Sequence, residues 1–278
     1  MVSKILNKLN LYDEFKDLYS KIRNDFDFDY QKDCKARDYL SQILKKKTHK
    51  WKLEHILKSF KNQLVSKQFI LIYGCGPSLE ESVDRILSKI GNIFFSKFIN
   101  LTADGSSILL RERNIKIDAI FTDLDGITKN EFKYSDFNVI HAHGDNLEKI
   151  KLFEEEILKY KNVIGTTQVE PLENVVNPGG FTDGDRIIYF IRNLIKPFQK
   201  IFLIGMDFKN IVGKYSKLDI ESDQEGNLTK KKKLRYAVEL LEWINTKIIN
   251  EIYFVNSDII SDKFKYISIE DLLKSINY

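Results

Sequence analysis

The residues best suited to chemistry in this chain are aspartates that close short apolar runs. Asp104 follows Phe98–Thr102 in Ala103-Asp104-Gly105. Asp123 and Asp125 follow Asp118–Phe121 in Thr122-Asp123-Leu124-Asp125-Gly126. Asp145 follows Val139–His141 in Ala142-His143-Gly144-Asp145-Asn146, and Asp207 follows Lys200–Ile204 in Gly205-Met206-Asp207-Phe208. If these runs are strands of one sheet, their ends crowd carboxylates around one crevice. Like charges so placed raise one another's pKa. A hard divalent cation removes that cost, and magnesium prefers carboxylate oxygen together with phosphate and water. Asp104, Asp123, Asp125 and Asp145 are therefore expected to hold a metal, with Mg2+ as the cofactor. The plainer alternative is that each aspartate caps the next helix or turn. Taken singly, Asp104 and Asp207 fit the cap better. The Asp123/Asp125 pair fits metal better, and Asp145 stands between the two.

Two further stretches have the make-up of ligand loops. Gly74-Cys75-Gly76-Pro77-Ser78 lies between an apolar run and an amphipathic one. It lacks the lysine and serine of a Walker loop and the third glycine of a dinucleotide fingerprint. Its glycines allow close backbone approach to a nucleotide, with a helix N-terminus aimed at the site. It also reads as a tight turn with Ser78 as N-cap and Glu81 three residues on, and both readings can hold together. The second stretch is Asn177-Pro178-Gly179-Gly180-Phe181-Thr182-Asp183-Gly184-Asp185-Arg186. Gly179 and Gly180 permit unusual backbone angles, Thr182 and Asp183 can cap, and Arg186 suits a phosphate or carboxylate. A capped loop alone leaves the wealth of small and polar residues unexplained, so a ligand loop is expected.

Smaller signals complete the set. His141 and His143 flank Ala142 at a strand end and face opposite ways, and His143, nearer Asp145 and Asn146, is the better site residue. Gln168, just beyond Val163–Thr167, is placed to read a base or ring edge. The run Lys230–Lys233 is either a solvated first helical turn or a phosphate contact.

These residues need a scaffold. Apolar stripes at helical spacing run through Leu6 to Ile22, Tyr39 to Leu44 and Trp51 to Phe60, with no glycine or proline before Gly74. Residues 1–66 are thus expected to be a helical segment packed on the main domain. From Gln68, short apolar runs alternate with amphipathic stretches. Strands are expected at Phe69–Tyr73, Phe98–Thr102, Asp118–Thr122, Val139–His141, Val163–Thr166, Lys200–Gly205 and Ile252–Val255. Helices are expected at Ser78–Ile90, Ser106–Arg113, Leu147–Tyr160, Gly184–Leu194 and Lys231–Asn250, with a mobile loop over Asp219–Leu228. This alternation implies an α/β domain over 67–278, with a mostly parallel sheet and helices on both faces. Ligands of such sheets sit beyond the carboxyl ends of the strands.

Composition narrows the function classes. The 278 residues suit one sizeable domain with an appendage, and a net charge of +4 lacks the basic stripe of a nucleic-acid binder. Two cysteines support neither a zinc cluster nor a disulfide framework. The start, Met1–Asp17, lacks the apolar stretch of a signal peptide, and no apolar run approaches the roughly 20 residues of a membrane span. A cytoplasmic protein is expected, and its oligomeric state, homodimer included, is left open.

Taken in order, GCGPSLE at 74–80, ADG at 103–105, TDLDG at 122–126, HAHGDN at 141–146, NPGGFTDGDR at 177–186 and GMDF at 205–208 resemble a known set. They resemble the archaeal 6-hydroxymethyl-7,8-dihydropterin pyrophosphokinase family, the MptE-like group, over about residues 50–255. Similar blocks occur in longer bacterial motility-associated factors, and the acidic motifs are similar to those of thiamine pyrophosphokinases. The resemblance implies transfer of diphosphate from ATP to the hydroxymethyl oxygen of the pterin, with AMP leaving. It implies that Asp123, Asp125 and Asp145, with Asp104, hold Mg2+ on the triphosphate. It implies that the 177–186 loop and Asp207 touch nucleotide or pterin, and that Lys232, Lys233 and Arg235 offset phosphate charge. Either Asp125 or Asp145 would accept the hydroxyl proton. Residues 1–50 lie outside the motifs and gain no role from them. A second reading, a nucleotide-sugar glycosyltransferase of the sialyltransferase-like type, draws on GCGPSLE and needs a histidine base with little metal. Clustered acids count against it. A third is a non-catalytic nucleotide sensor that uses the helical N-terminus.

Overall fold

In the computed structural model, residues 4–48 and 51–276 are described. The strands, in chain order, are β1 (Phe69–Tyr73), β2 (Phe98–Ala103), β3 (Ile117–Thr122), β4 (Ser135–Ala142), β5 (Val163–Thr167), β6 (Val175–Val176) and β7 (Lys200–Ile204). They continue with β8 (Ile211–Val212), β9 (Gln224–Glu225), β10 (Ile252–Val255) and β11 (Lys265–Ile267). Among the described residues nine of them form one sheet, in the order β11-β10-β7-β1-β2-β3-β4-β5-β6. Each pairing in that sheet is parallel. β8 and β9 form a separate antiparallel ribbon.

The chain runs outward from β1 to β6, then returns to the other side of β1 through β7, β10 and β11. The order therefore reverses between β1 and β7. A crevice opens at such a switch point, beyond the carboxyl ends of the strands.

Both faces of the sheet are covered, which is why its strands are apolar throughout. Ile70 and Ile72 of β1 join a cluster with α1 (Tyr12–Phe26), α3 (Leu53–Leu64), α9 (Asp183–Ile191) and α10 (Leu228–Asn245). Leu71 and Tyr73 point the other way, into a cluster with α4 (Ser78–Ile90), α5 (Ser106–Glu112) and α11 (Ile269–Ser275). A third cluster joins Ile140 and Val163 to α2 (Tyr30–Lys46), α6 (Glu131–Tyr134), α7 (Leu147–Leu152) and α8 (Glu154–Lys159).

The N-terminal helices share these cores. Phe60 of α3 is 2% exposed. Its ring lies edge-on to Phe137 at 5.2 Å, Phe190 at 5.5 Å and Phe121 at 6.4 Å. Leu40 and Leu44 of α2 press so closely on β5 that a Cβ at Gly165 would lie 2.8 Å from Leu44 Cδ1. The expected boundary after residue 66 falls between α3 and β1.

Four details depart from the sequence reading. The helix expected at Leu147–Tyr160 is broken into α7 and α8 at Phe153, whose ring turns inward to Phe132 at 5.6 Å. The Lys47 ammonium closes the end of α8 by donating to the carbonyls of Leu158 (3.2 Å) and Tyr160 (2.7 Å). The long helix spans Leu228–Asn245, three residues earlier at its start than expected, because Asn227 caps it by accepting from the Lys230 amide. The loop over Asp219–Leu228 contains β9, and β6, β11 and α11 were not foreseen. Among the described residues no helix is long and apolar enough to cross a membrane.

Phe60→Ala should lower the free energy of unfolding by about 3–5 kcal/mol in a urea titration, because it empties a space between three rings. A loss below about 1 kcal/mol would mean that α3 packs on the domain without belonging to its core.

Candidate active site

The carboxyl ends of β1, β2, β3, β4 and β7 and the start of α9 surround a cavity of about 280 Å³. One carboxylate oxygen from each of Asp104, Asp123 and Asp183 lies within 4.8 Å of the other two. Each is held by local structure. Asp104 ends β2 in the left-handed region at φ 45°, with its amide donating to the Phe121 carbonyl at 2.7 Å. Its Oδ1 accepts from Thr122 Oγ1 at 2.6 Å. Gly126 must be glycine here, because a Cβ would lie 2.2 Å from Asp104 Oδ2. Leu124, fully buried, also sits at a left-handed φ of 74°. Its amide donates to Thr122 Oγ1 at 2.7 Å. That turn aims Asp123 inward while burying the leucine.

Asp123 meets His143, whose Nε2 is 3.3 Å from Asp123 Oδ2. His143 Nδ1 lies 3.4 Å from the Asp145 amide nitrogen, which leaves Nε2 to face Asp123. Asn146 ties these pieces together, its Nδ2 donating to the carbonyls of Asp123 (2.8 Å) and His141 (2.6 Å). Asp183 is the first residue of α9, 3.6 Å from Arg186 Nη1.

Burial dominates the charge state of the trio. It pushes Asp104 well above the usual carboxylate range, and the charges of Asp123 and Asp183 add to the push. Burial, then the Asp123 charge, raise Asp183 to about 7. Burial would raise Asp123 too, but the hydrogen bond and charge of His143 overcome it, and Asp123 is held at about 2. The site thus combines one firmly ionised carboxylate with two that retain protons readily. Its donors are all carboxylate oxygens, which suit a hard cation such as Mg2+ better than a thiophilic one.

The structure distributes the expected site residues unevenly. Asp145, His143, Gln168, Thr182, Asp183 and Arg186 line the cavity, as do Gly74, Gly76, Asp207 and Lys233. Asp125 does not line it, and its amide donates to Asp123 Oδ1 at 3.1 Å. Asn146 is buried in the bonds given above. Asp185 is also internal, accepting from the amides of Phe181 (2.7 Å) and Thr182 (2.9 Å) to hold the loop ahead of α9. Gly179 and Gly180, both at φ 88°, fold that loop onto Tyr189 and Arg186 and stay outside the cavity lining. Lys232 points elsewhere and pairs with Asp25 at 2.6 Å.

The Gly74–Ser78 loop also differs from a phosphate cradle. The amides of Gly74 and Gly76 donate to the carbonyls of Ile204 (2.8 Å) and Gly205 (2.7 Å). The Ser78 amide donates to Asp207 Oδ2 at 2.8 Å. Asp207, from the end of β7, therefore caps α4, the task expected of Ser78. Pro77 and Ser78 lie off the cavity wall. The glycines serve close approach of two loops, since a Cβ at Gly74 would lie 2.4 Å from the Gly205 carbonyl oxygen.

One contribution was missed by sequence reasoning, and two others were read only in part. Asp183 completes the trio, although its position at a helix start reads as a cap. Lys230 lines the cavity beside Lys233. The connection between α1 and α2 supplies Asp27, Phe28 and Asp29 to the wall, and the first turn of α2 adds Lys32 and Asp33. Asp33 anchors it: its Oδ1 accepts from the Gly144 amide at 2.7 Å, and its Oδ2 accepts from the Tyr19 hydroxyl. The acidic and aromatic run between two helical stripes was the one local hint.

The family model for 6-hydroxymethylpterin diphosphokinases, MptE-like, matches residues 41–213. The chain belongs to the MptE-like family. Three archaeal relatives are each named 6-hydroxymethyl-7,8-dihydropterin pyrophosphokinase. The protein from Pyrococcus furiosus is 34% identical over 84% of this chain and 94% of its own length. That from Methanocaldococcus jannaschii is 36% identical over 84% of this chain and 96% of its own. That from Methanothermobacter thermautotrophicus is 32% identical over 81% and 91%. Among solved structures, a MAf glycosyltransferase from Magnetospirillum magneticum AMB-1 overlaps 76% of this chain and 37% of its own, at 12% identity and a TM-score of 0.43. The stretch matched by the MptE-like model contains all three clustered aspartates, and the 27–33 wall and Lys230 lie outside it.

The raised pKa of Asp183 has a defined sign. In the folded chain its proton is held to about pH 7, and in the unfolded chain only to the usual carboxylate range. This favours folding in acid and is lost as pH rises through that folded value. Metal-free protein should therefore lose thermal stability between about pH 5 and pH 8, and Asp183→Asn should flatten the slope. Added Mg2+ should raise the unfolding temperature more at about pH 8 than at about pH 5, because carboxylates bind metal deprotonated. Equal Mg2+ shifts at both pH values would contradict this charge assignment.

Proposed function

We propose that this chain transfers a diphosphoryl group from ATP to the hydroxymethyl oxygen of 6-hydroxymethyl-7,8-dihydropterin, releasing AMP, with Mg2+ held by Asp104, Asp123 and Asp183. The observation that carries this reading is the carboxylate trio, Asp104 buried and Asp123 and Asp183 half-buried, beyond the carboxyl ends of β2 and β3 in a member of the MptE-like family. In the reaction an oxygen–phosphorus bond forms at the β-phosphorus. The bond from that phosphorus to the α–β bridging oxygen breaks, and AMP leaves with the bridging oxygen.

Such a transfer needs positioning and charge neutralisation more than covalent help. A cation held by Asp104, Asp123 and Asp183 would offset charge developing on the phosphates. The chain's own groups do the rest. His143 orients Asp123 and favours its ionised form. Lys230 and Lys233 stand on the wall as counter-charges. Burial and the charge of Lys230 lower the pKa of Lys233, and a bound triphosphate would raise it again. Of the two carboxylates considered for the hydroxyl proton, Asp145 lines the cavity and Asp125 does not, so we assign Asp145. We also propose a cytoplasmic location, which the two free thiols Cys34 and Cys75 suit.

The test is AMP formation from ATP, followed by chromatography. It should require both Mg2+ and the pterin. Asp123→Asn and Asp183→Asn should each lower kcat by about a hundredfold or more, on the scale of losing one transition-state electrostatic partner. AMP release that ignores the pterin would end this reading.

A further inference from the structure

His141 is 2% exposed and stands on the cavity wall. Its Nδ1 is 3.1 Å from Thr166 Oγ1. That hydroxyl donates its single proton to the Ile140 carbonyl at 3.1 Å, so toward His141 it can only accept. The ring proton is therefore on Nδ1, and Nε2 presents a bare lone pair. Burial, together with the charges of Arg186 and His143, keeps the ring from gaining a second proton. Nε2 is buried and has no hydrogen-bond partner among the described residues. Buried polar atoms in folded proteins are rarely left so. The Gln168 side chain, 6% exposed and on the same wall, forms no full hydrogen bond to Nε2, yet it lies near enough to favour a proton on the ring, an effect that burial outweighs.

The place of this acceptor matters as much as its state. His141 and His143 do not face opposite ways as expected, because residues two apart on a strand share a face, and their rings stack with centroids 5.8 Å apart and planes 25° apart. His143 in turn reaches Asp123 at 3.3 Å. The lone pair thus lies one imidazole further along the wall than the carboxylates. A flat bicyclic ligand held there by one edge can send a substituent on its far side toward the trio.

We propose that His141 and Gln168 select the acceptor substrate: His141 Nε2 accepts from the ring N3–H of the 2-amino-4-oxo edge of the pterin, and the Gln168 amide donates to the adjoining carbonyl oxygen. This rests on the diphosphokinase reading. An acceptor-only nitrogen next to a donating amide complements the ring N–H and adjoining carbonyl of the pterin. Adenine has no such ring N–H and could meet the pair only through its exocyclic N6–H and a neighbouring ring nitrogen, so varying each substrate in turn decides which of the two is held there. His141 and Gln168 act here as positioning residues, removed from the reacting atoms.

The test is steady-state kinetics with each substrate varied in turn. His141→Leu should raise KM for the pterin about tenfold or more, as expected when a buried polar edge loses its partner. KM for ATP should stay within about twofold. His141→Gln, which can present an oxygen near the place of Nε2, should recover part of the loss. Gln168→Leu should show the same split more weakly and serves if His141→Leu fails to fold. Independently, nitrogen-15 spectra of the wild-type histidines, four in the chain, should show the His141 Nε2 signal shift on adding pterin and stay fixed on adding ATP alone. Equal rises in both KM values, or an unmoved signal at saturating pterin, would overturn the inference while the proposed function stood. A wild-type protein that makes no pterin-dependent AMP would overturn the proposed function, and the inference with it.

Discussion

Three carboxylates within 4.8 Å of one another, one buried and two half-buried, repel one another, and the architecture around them is organised to contain that repulsion. The chain spreads the burden. Asp123 stays ionised because His143 faces it, while Asp183 and Asp104 are left with a strong preference for a proton. A cation is the alternative to those protons. The two left-handed residues beside the trio, Asp104 and Leu124, belong to the same account. Non-glycine residues in that region cost of order 1–3 kcal/mol each and persist when their surroundings over-determine them. Here the hydroxyl of Thr122 fixes both, accepting from Leu124 and donating to Asp104.

The sheet makes this containment rigid. Its central strands are packed on both faces, and the aromatic cluster around Phe60 ties α3 to β3, β4 and α9. The end of β7 is joined to the start of α4 by Asp207, so the two strands that flank the switch point move as one unit. Oxygen atoms placed to within a fraction of an ångström need such support.

Much of this was legible in the chain. Continuous apolar runs at Phe69–Tyr73 and Lys200–Ile204 marked buried parallel strands, and aspartates at the run ends marked the crevice. What escaped was set by long-range contact. β6 and β11, two and three residues long, exist because neighbouring strands offer them partners. Phe153 breaks a helix that periodicity would continue, since its ring is worth more in the core. Asp183 carries the same local signature as a cap, and only the folded chain brings it to Asp104 and Asp123. Asp125, two residues from Asp123, looked equivalent to it, yet the left-handed turn at Leu124 separates their roles. That α1–α3 pack on the domain was legible in their apolar stripes, but which strands and helices they meet was not.

The wall built by residues 27–33 has a consequence for how this protein can vary. It is tied to the rest of the cavity by the bond from the Gly144 amide to Asp33 and by Phe28, whose ring lies 6.5 Å from that of Phe181 and 5.7 Å from the Lys233 ammonium, and it comes from a part of the chain remote in sequence from the acidic trio. The bonds given above for the three carboxylates run to Thr122, Asp125, His143 and Arg186 and to none of its side chains. A lineage could thus retune which molecules enter through Asp27, Phe28, Asp29 or Lys32 while the three carboxylates keep their own bonds.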